Sequence, residues 1–253
     1  MEILESPQLA AFRHGFTTRD GGVSAPPYER LNLGGAVGDD PAHVAENWRR
    51  LGRETGLRFA RVRQVHGARV VRAEAPCEPG EEADVVLSAA EGVAACVSVA
   101  DCVPILLADP GTGAVAAVHA GWRGTLAGAA AAAVEALRRE FGAPPERLVG
   151  AVGPSIGPCC YEVSEELAAR FRDEIRGDVV REGEGRPPRL DLPASNGWIL
   201  SRAGVSPGRI HVLGACTACD RARFFSHRRD RGRTGRQMAF IAPRPPTRAG
   251  GVP

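Results

Sequence analysis

Two histidines and a cysteine offer the first chemistry in this sequence. His66 lies in QVHG, Cys102 lies in ADC between two apolar runs, and His119 ends a third apolar run just before AGWRG. Imidazole and thiolate are preferred zinc ligands, and a set of two histidines and one cysteine leaves the fourth tetrahedral position open for water. Zinc in such a site lowers the pKa of its water to about 7, which supplies a nucleophile at neutral pH. The same residues admit two other readings. A cysteine beside apolar strands is commonly a small buried hydrophobe. A thiolate next to an imidazole is also the usual arrangement of an activated nucleophile. The separations, 36 residues from position 66 to 102 and 17 from 102 to 119, do not choose among metal site, Cys–His dyad and ordinary core.

Each of the three residues sits where an element ends. RVRQVHGARVVR alternates and predicts a strand, a tight turn at Gly67 and a second strand over 61–72. VAACVSV, VPILLAD and AVAAVHA are short apolar runs near 93–99, 103–109 and 114–120, with PGTG as a hairpin turn between the last two. Around this middle, Asp40-Pro41 opens a helix that Gly56 closes. An Ala-rich stretch predicts one helix over 126–141, closed by Gly142. Further helices are expected from Ser164 and from Asp191 to Gly204, and strands over 147–153, around 210 and through QMAFIAP. Residues 14–38 read as turns and extended loop, 154–163 as a constrained loop, and 181–189 as a polar surface loop. Hairpins mixed with helices predict a single α/β domain of the mixed-sheet α+β kind over 1–243, with a disordered tail over 244–253.

Composition narrows the chemistry. The 253 residues carry a formal net charge of +2, so there is no general pull toward nucleic acid or membrane. No apolar run approaches the roughly 18 residues that cross a bilayer, and MEILESPQLA lacks the pattern of a signal peptide, so the expected location is the cytoplasm. All 32 basic residues are arginine. Schiff-base lysine chemistry and a P-loop lysine are therefore excluded, and any phosphate must be held by Arg, backbone N–H groups or metal. The seven cysteines read as thiols or ligands rather than as a disulfide framework. Cys216 and Cys219 form a lone C-x-x-C without a matching second pair, which argues against a structural zinc ribbon. The Pro158-Cys159-Cys160 run lacks the rest of the zinc deaminase pattern. Seven arginines and two phenylalanines fall within 221–236. This stretch reads as a solvated face or an anion clamp before it reads as a nucleic-acid surface.

HGFTTRDGGVS, RQVHG, ADVVLS, VADCVPILL, AVAAVHAGWRGT, VGPSIGPCCYEV, CTAC and FFSHRRDRGRTGRQMAFI occur in this order from His14 to Ile241. In these motifs the chain resembles the YfiH-like family, also called the polyphenol oxidase or laccase-domain family, which includes the peptidoglycan editing factor. The resemblance implies a single α/β domain similar in core to the catalytic domain of cytotoxic necrotising factor toxins. It implies a metal site, usually zinc, with copper as the alternative occupant, formed by His66, Cys102 and His119. It further implies phosphorolysis of adenosine, inosine and methylthioadenosine, together with deamination of adenosine. The partners are then a small nucleoside and phosphate, with no nucleic acid or membrane, and a monomer is favoured.

On this reading Cys102 and His119 double as catalytic residues. Arg123, four residues after His119, holds phosphate, and Arg19 and Arg229 are further substrate contacts. Gln64 either reads the base or braces its turn. A second reading, from the editing-factor members, is a hydrolase of a peptidoglycan precursor that uses a Cys102–His119 pair. Oxidase chemistry fits the residues poorly, because six histidines with no H-x-H pair do not make a multicopper centre. Two positions depart from the family pattern: His227 stands where Tyr is usual in FFSYRRD, and Ser195 precedes Asn196 where Ala is usual.

Overall fold

Burial along the strands sorts the chain into two stacked sheets. The computed structural model describes residues 1–183 and 185–244, so the tail expected to be disordered lies outside the described residues except for Arg244. The chain opens with β1 (Ile3–Leu4), β2 (Arg13–Thr17), α1 (Pro41–Thr55), β3 (Arg58–Ala60), β4 (Val70–Ala73) and β5 (Val85–Ser88). The central run follows as β6 (Val93–Val99), β7 (Val103–Ala108), β8 (Val115–Ala120), α2 (Trp122–Leu126), α3 (Ala129–Phe141) and β9 (Val149–Val152). Last come α4 (Glu165–Glu174), β10 (Val180–Gly183), β11 (Arg186–Leu190), α5 (Leu192–Arg202), β12 (Ile210–Val212) and β13 (Gln237–Ala242). One mixed sheet has the order β1-β2-β13-β6-β3 and the other β12-β9-β7-β8-β5-β4, while β10 and β11 pair separately.

Successive strand residues point to opposite faces, so each apolar strand serves two cores. In β7, Leu106 and Ala108 meet Phe16, Val97 and Ile241 of the five-stranded sheet. Ile105 and Leu107 face the other way, against Ala133 and Leu137 of α3, Leu200 of α5 and Phe171 of α4. The outer face of the five-stranded sheet packs Phe59, Cys96 and Phe240 under Leu51 of α1. The result is four layers, helix on sheet on sheet on helices. Among the described residues, no helix is long and apolar enough to cross a membrane.

The helix signals of the sequence act as expected at α1, where Asp40 caps Ala42 and Gly56 takes the left-handed conformation. Ser164 and Asp191 likewise cap α4 and α5. Four expectations are corrected. The stretch 14–38, expected to be turns and loop, opens with most of β2, which pairs with β1 and β13. The helix expected over 126–141 begins only at Ala129, because Gly128 adopts φ +78° and separates it from the short α2 over Trp122–Leu126. Over 61–72 only the second strand forms; residues 61–63 bond to the 77–83 segment through Arg61 N–H to Cys77 O at 3.1 Å and Arg63 N–H to Glu81 O at 2.9 Å. The 181–189 stretch is not an open loop but the β10–β11 pair, anchored by the buried ends Val180 and Leu190, which face each other.

The β7–β8 turn is locked by one carboxylate. Asp109 accepts from Gly111 N–H, Thr112 N–H and Thr112 Oγ1, and pairs with Arg147 Nε at 2.5 Å and Nη2 at 2.6 Å. Burial pushes its carboxyl up, but the Arg147 and Thr112 hydrogen bonds outweigh this and bring the pKa down to about 2. A depressed folded-state pKa stabilises above the ordinary carboxylate value and loses that contribution as pH falls through about 2. Asp109→Asn is therefore expected to cost about 1–3 kcal/mol in urea unfolding at pH 7. The difference from wild type should shrink as pH drops from 4 toward 2; a difference independent of pH would contradict this role.

Candidate functional site

The three residues singled out in the sequence converge at the end of the molecule where the chain crosses between sheets. β6 ends at Val99 in the five-stranded sheet and β7 begins at Val103 in the six-stranded one, so Cys102 sits on the crossing. The β7–β8 register pairs Pro104 with His119 and Val103 with Ala120, which carries Cys102 to Gly121. The β5–β8 register pairs Val85 with Val118, which brings Asp84 alongside His119. One ligand atom each from His66, Cys102 and His119 lies within 4.8 Å of the others. The two imidazole centroids are 4.8 Å apart with the rings at 77°.

Asp84 builds this arrangement, and no role was assigned to it from sequence. Fully buried, it accepts the Nδ1–H of His119 at 2.7 Å. It also accepts the backbone N–H groups of Val65 at 3.2 Å, His66 at 3.0 Å and Gly67 at 2.7 Å. Its own carbonyl accepts His119 N–H at 2.8 Å. Burial raises the Asp84 carboxyl, but the His119 and backbone hydrogen bonds prevail and hold it below the usual range. With Nδ1 of His119 committed to Asp84, Nε2 is the nitrogen left to coordinate, the orientation that a carboxylate gives a metal-bound histidine. Burial likewise raises the Cys102 thiol, yet neighbouring His119 and His66 reverse this and favour the thiolate, the coordinating form. Two thirds of this donor set is imidazole and one third thiolate, which fits zinc.

Uncommon backbone holds the cluster in place. His66 has φ +62° and Asp101 φ +91°, left-handed conformations that cost a non-glycine residue about 1–3 kcal/mol and persist only where the surroundings impose them. At Asp101 they do. Its carboxylate accepts Thr217 Oγ1–H and Arg228 N–H, both at 2.6 Å, and its carbonyl accepts Ile156 N–H at 2.9 Å. Gly121 leaves room for the sulfur, since a Cβ there would lie 2.8 Å from Cys102 Sγ and 3.3 Å from His66 Cδ2.

His66, Cys102 and His119 line a cavity of about 1140 Å³, ample by the standard of small-molecule sites, roughly 300–1,000 Å³. Arg123, Tyr161, Arg228 and Arg236 line it beside these three candidate ligands. Arg123 stacks on Trp122 at 4.2 Å and Arg228 on Tyr161 at 5.0 Å. Among the described residues, neither these two arginines nor Arg236 forms an ion pair. Gln64 also lines the cavity, but its amide is engaged at both ends by Ser98, donating to the carbonyl at 2.8 Å and accepting N–H at 2.7 Å.

Arg19 and Arg229 are not brought to the cavity wall. Arg19 is buried over Phe225, pairs with Glu29 at 3.1 Å and donates to Arg221 O. Arg229 binds the carbonyls of Thr217 and Phe224 and the carboxylate of Asp230. Arg228, next to Arg229 in sequence, and Arg236 line the cavity instead. The arginine pattern of 221–236 carried a signal for such a contact, but not which residue faces inward. The run is also not one solvated face, since Phe224, Phe225 and Ser226 are buried and Arg229 is turned onto the carbonyls of Thr217 and Phe224.

Fold and site together define a four-layer α/β protein with a histidine–cysteine metal-type cluster in the wall of an arginine-lined cavity. The chain belongs to the family described as multi-copper polyphenol oxidoreductase laccase, whose model matches residues 13–244. The purine nucleoside phosphorylase of Deinococcus radiodurans is 46% identical over 244 residues, covering 95% of this chain and 92% of that protein. Purine nucleoside phosphorylase YlmD of Geobacillus stearothermophilus is 38% identical, covering 94% of this chain and 93% of its own. The crystal structure of YlmD matches with a TM-score of 0.88 over 94% of each chain. That of the hypothetical protein YfiH from Bacillus licheniformis matches at 0.90 with 32% identity over 96% of each chain. The family and the fold that the motifs implied are the ones found.

Two substitutions test the construction of the cluster. Asp84→Asn should weaken metal affinity on the order of 10- to 100-fold, as loss of a ligand's orienting carboxylate does. Gly121→Ala should lower the metal retained on purification, because the added methyl meets Cys102 Sγ. Gly197→Ala, where a Cβ meets nothing within 4 Å, is the control. Unchanged affinity in both site variants would refute the assigned geometry.

Proposed function

We propose that the chain is a zinc-dependent purine nucleoside phosphorylase that accepts adenosine, inosine and methylthioadenosine and also deaminates adenosine. The observation that carries this reading is the meeting, in one cavity, of the His66–Cys102–His119 donor set with three guanidinium groups that make no ion pair among the described residues. The names of the relatives support the same reaction class.

His66, Cys102 and His119 would hold the metal, which when bound supplies a Lewis acid that polarises a coordinated oxygen. Asp84 keeps His119 in the coordinating tautomer and the 65–67 turn in place. Arg123, with Arg228 and Arg236 nearby, receives phosphate as a planar charged donor, a role that no lysine is present to take. Phosphate oxygen attacks the anomeric carbon as the glycosidic C–N bond breaks, giving ribose 1-phosphate and the free purine. Tyr161 and Trp122 give the cavity aromatic surface for the purine. In deamination, water replaces the 6-amino group and ammonia leaves. Gln64 braces the turn that carries His66, and reads the base only if it leaves Ser98.

Purified protein should convert adenosine to adenine and ribose 1-phosphate in a phosphate-dependent manner, convert inosine to hypoxanthine, and form inosine from adenosine without phosphate. Arg123→Ala should lower kcat/KM for phosphate on the order of 10- to 100-fold, the effect of losing a charge-assisted hydrogen bond of about 1.5–3 kcal/mol. Arg139→Ala, an exposed partner of Glu140, should leave it unchanged. Absence of all three products would overturn the reading.

A further inference from the structure

Four cysteines outside the cavity have no part in the chemistry above. The adjacent pair Cys159–Cys160 lies in the loop after β9, and the Cys216–Cys219 pair lies in the loop after β12. Nearly sixty residues apart in sequence, the two pairs meet in space, and their four sulfurs lie within 4.8 Å of one another. The C-x-x-C that stood alone in the sequence thus acquires its second pair from the tertiary fold.

We propose that Cys159, Cys160, Cys216 and Cys219 form a second, mononuclear zinc site that ties these two loops together. The spacing is the first argument. Sulfurs at the corners of a tetrahedron around zinc, each at a Zn–S distance of about 2.3 Å, stand about 3.8 Å apart. Cys219 Sγ lies 3.6 Å from Cys159 Sγ and 3.3 Å from Cys160 Sγ. One sulfur approaching two others comparably is a cluster around a point, not a pair of disulfides, and all four thiols are free.

The surroundings are the second argument. Gly157 N–H donates to Cys216 Sγ at 3.3 Å, as backbone amides do toward a negatively charged sulfur. A Cβ on Gly157 would sit 3.3 Å from Cys159 Sγ and 3.5 Å from Cys216 Cβ, so the loop passes the cluster closely because it is glycine there. Burial and the neighbouring sulfurs raise the Cys159 and Cys160 thiols. A zinc ion bound here would displace the thiol protons and hold the four sulfurs as thiolates. Cys159 and Cys219 are exposed, which leaves a path for the metal.

The consequence reaches the first site. Ser155 N–H bonds to Ala215 O at 3.2 Å and Thr217 N–H to Ser155 O at 3.0 Å, so the two loops run side by side. Ile156 and Thr217 are the residues that hold Asp101 in its left-handed conformation next to Cys102. Tyr161, directly after Cys160, lines the cavity. The second zinc fastens the base of the loops that place Asp101 and Tyr161.

The test is elemental analysis of the full chain produced with zinc and without chelator. Wild type should hold two zinc ions per chain, and His66→Ala/His119→Ala should keep one. That variant retains the whole cysteine cluster and does not depend on the phosphorylase reading. Loaded with cobalt(II), it should show the intense visible absorption of a tetrahedral tetrathiolate. Cys216→Ser/Cys219→Ser should lose this second ion and unfold at lower temperature. Loss of all zinc from His66→Ala/His119→Ala, with no cobalt–thiolate absorption, would overturn the proposal. So would two disulfides in the metal-free chain that zinc does not replace after reduction.

Discussion

The carboxylate of Asp84 is the interaction on which the site depends. It is buried among apolar strands, where an unpaired charge is costly, and it is compensated by four donors. Three are backbone amides of the turn that carries His66, and the fourth is the imidazole of His119. One side chain therefore fixes the position of one histidine through its backbone and the orientation of the other through its ring. The left-handed backbone at His66 persists because these amide bonds impose it. The uncommon conformation is not loose strain but the geometry that aims three consecutive N–H groups at one carboxylate.

A second constraint comes from the two sheets. The chain leaves one sheet at Val99 and enters the other at Val103, and the short crossing must turn sharply. Asp101 takes the turn and is held from three sides by Thr217, Arg228 and Ile156. Cys102 is thereby presented at the sheet end across from Gly121, the one residue type that leaves its sulfur space. Elements distant in sequence, from the loops near 156 and 217 to the arginine-rich run near 228, close around this crossing. That run divides its arginines between structural and cavity roles. Arg229 is consumed by carbonyls and a carboxylate of the frame, and Arg228 and Arg236 are left facing the cavity with Arg123.

Much of this was legible in the sequence, for local reasons. His66, Cys102 and His119 were identifiable because each ends an apolar run or marks a turn. Asp40, Gly56, Ser164 and Asp191 announced their helix ends through side-chain and backbone chemistry that acts within a few residues. The absence of lysine restricted phosphate recognition to arginine, amides or metal. The break at Gly128 and the pairing of β10 with β11 escaped the sequence reading, because a glycine's φ and a strand's partner are chosen by packing.

The kinds of donor available, the apolar runs that become strands and the family resemblance of the motifs are all carried by the amino-acid order. Which residues meet depends on how the sheets pair and pack. Strand register, a long-range property, set Asp84 beside His119 and Cys102 against Gly121. Packing of the 221–236 loop turned Arg228 toward the cavity and Arg229 into the frame, a choice that composition and spacing do not encode. The same long-range closure brought Cys159 and Cys160 to Cys216 and Cys219. Ligand type is a property of single residues, whereas a site is a property of distances between residues far apart in the chain, and the packing of the two sheets sets those distances.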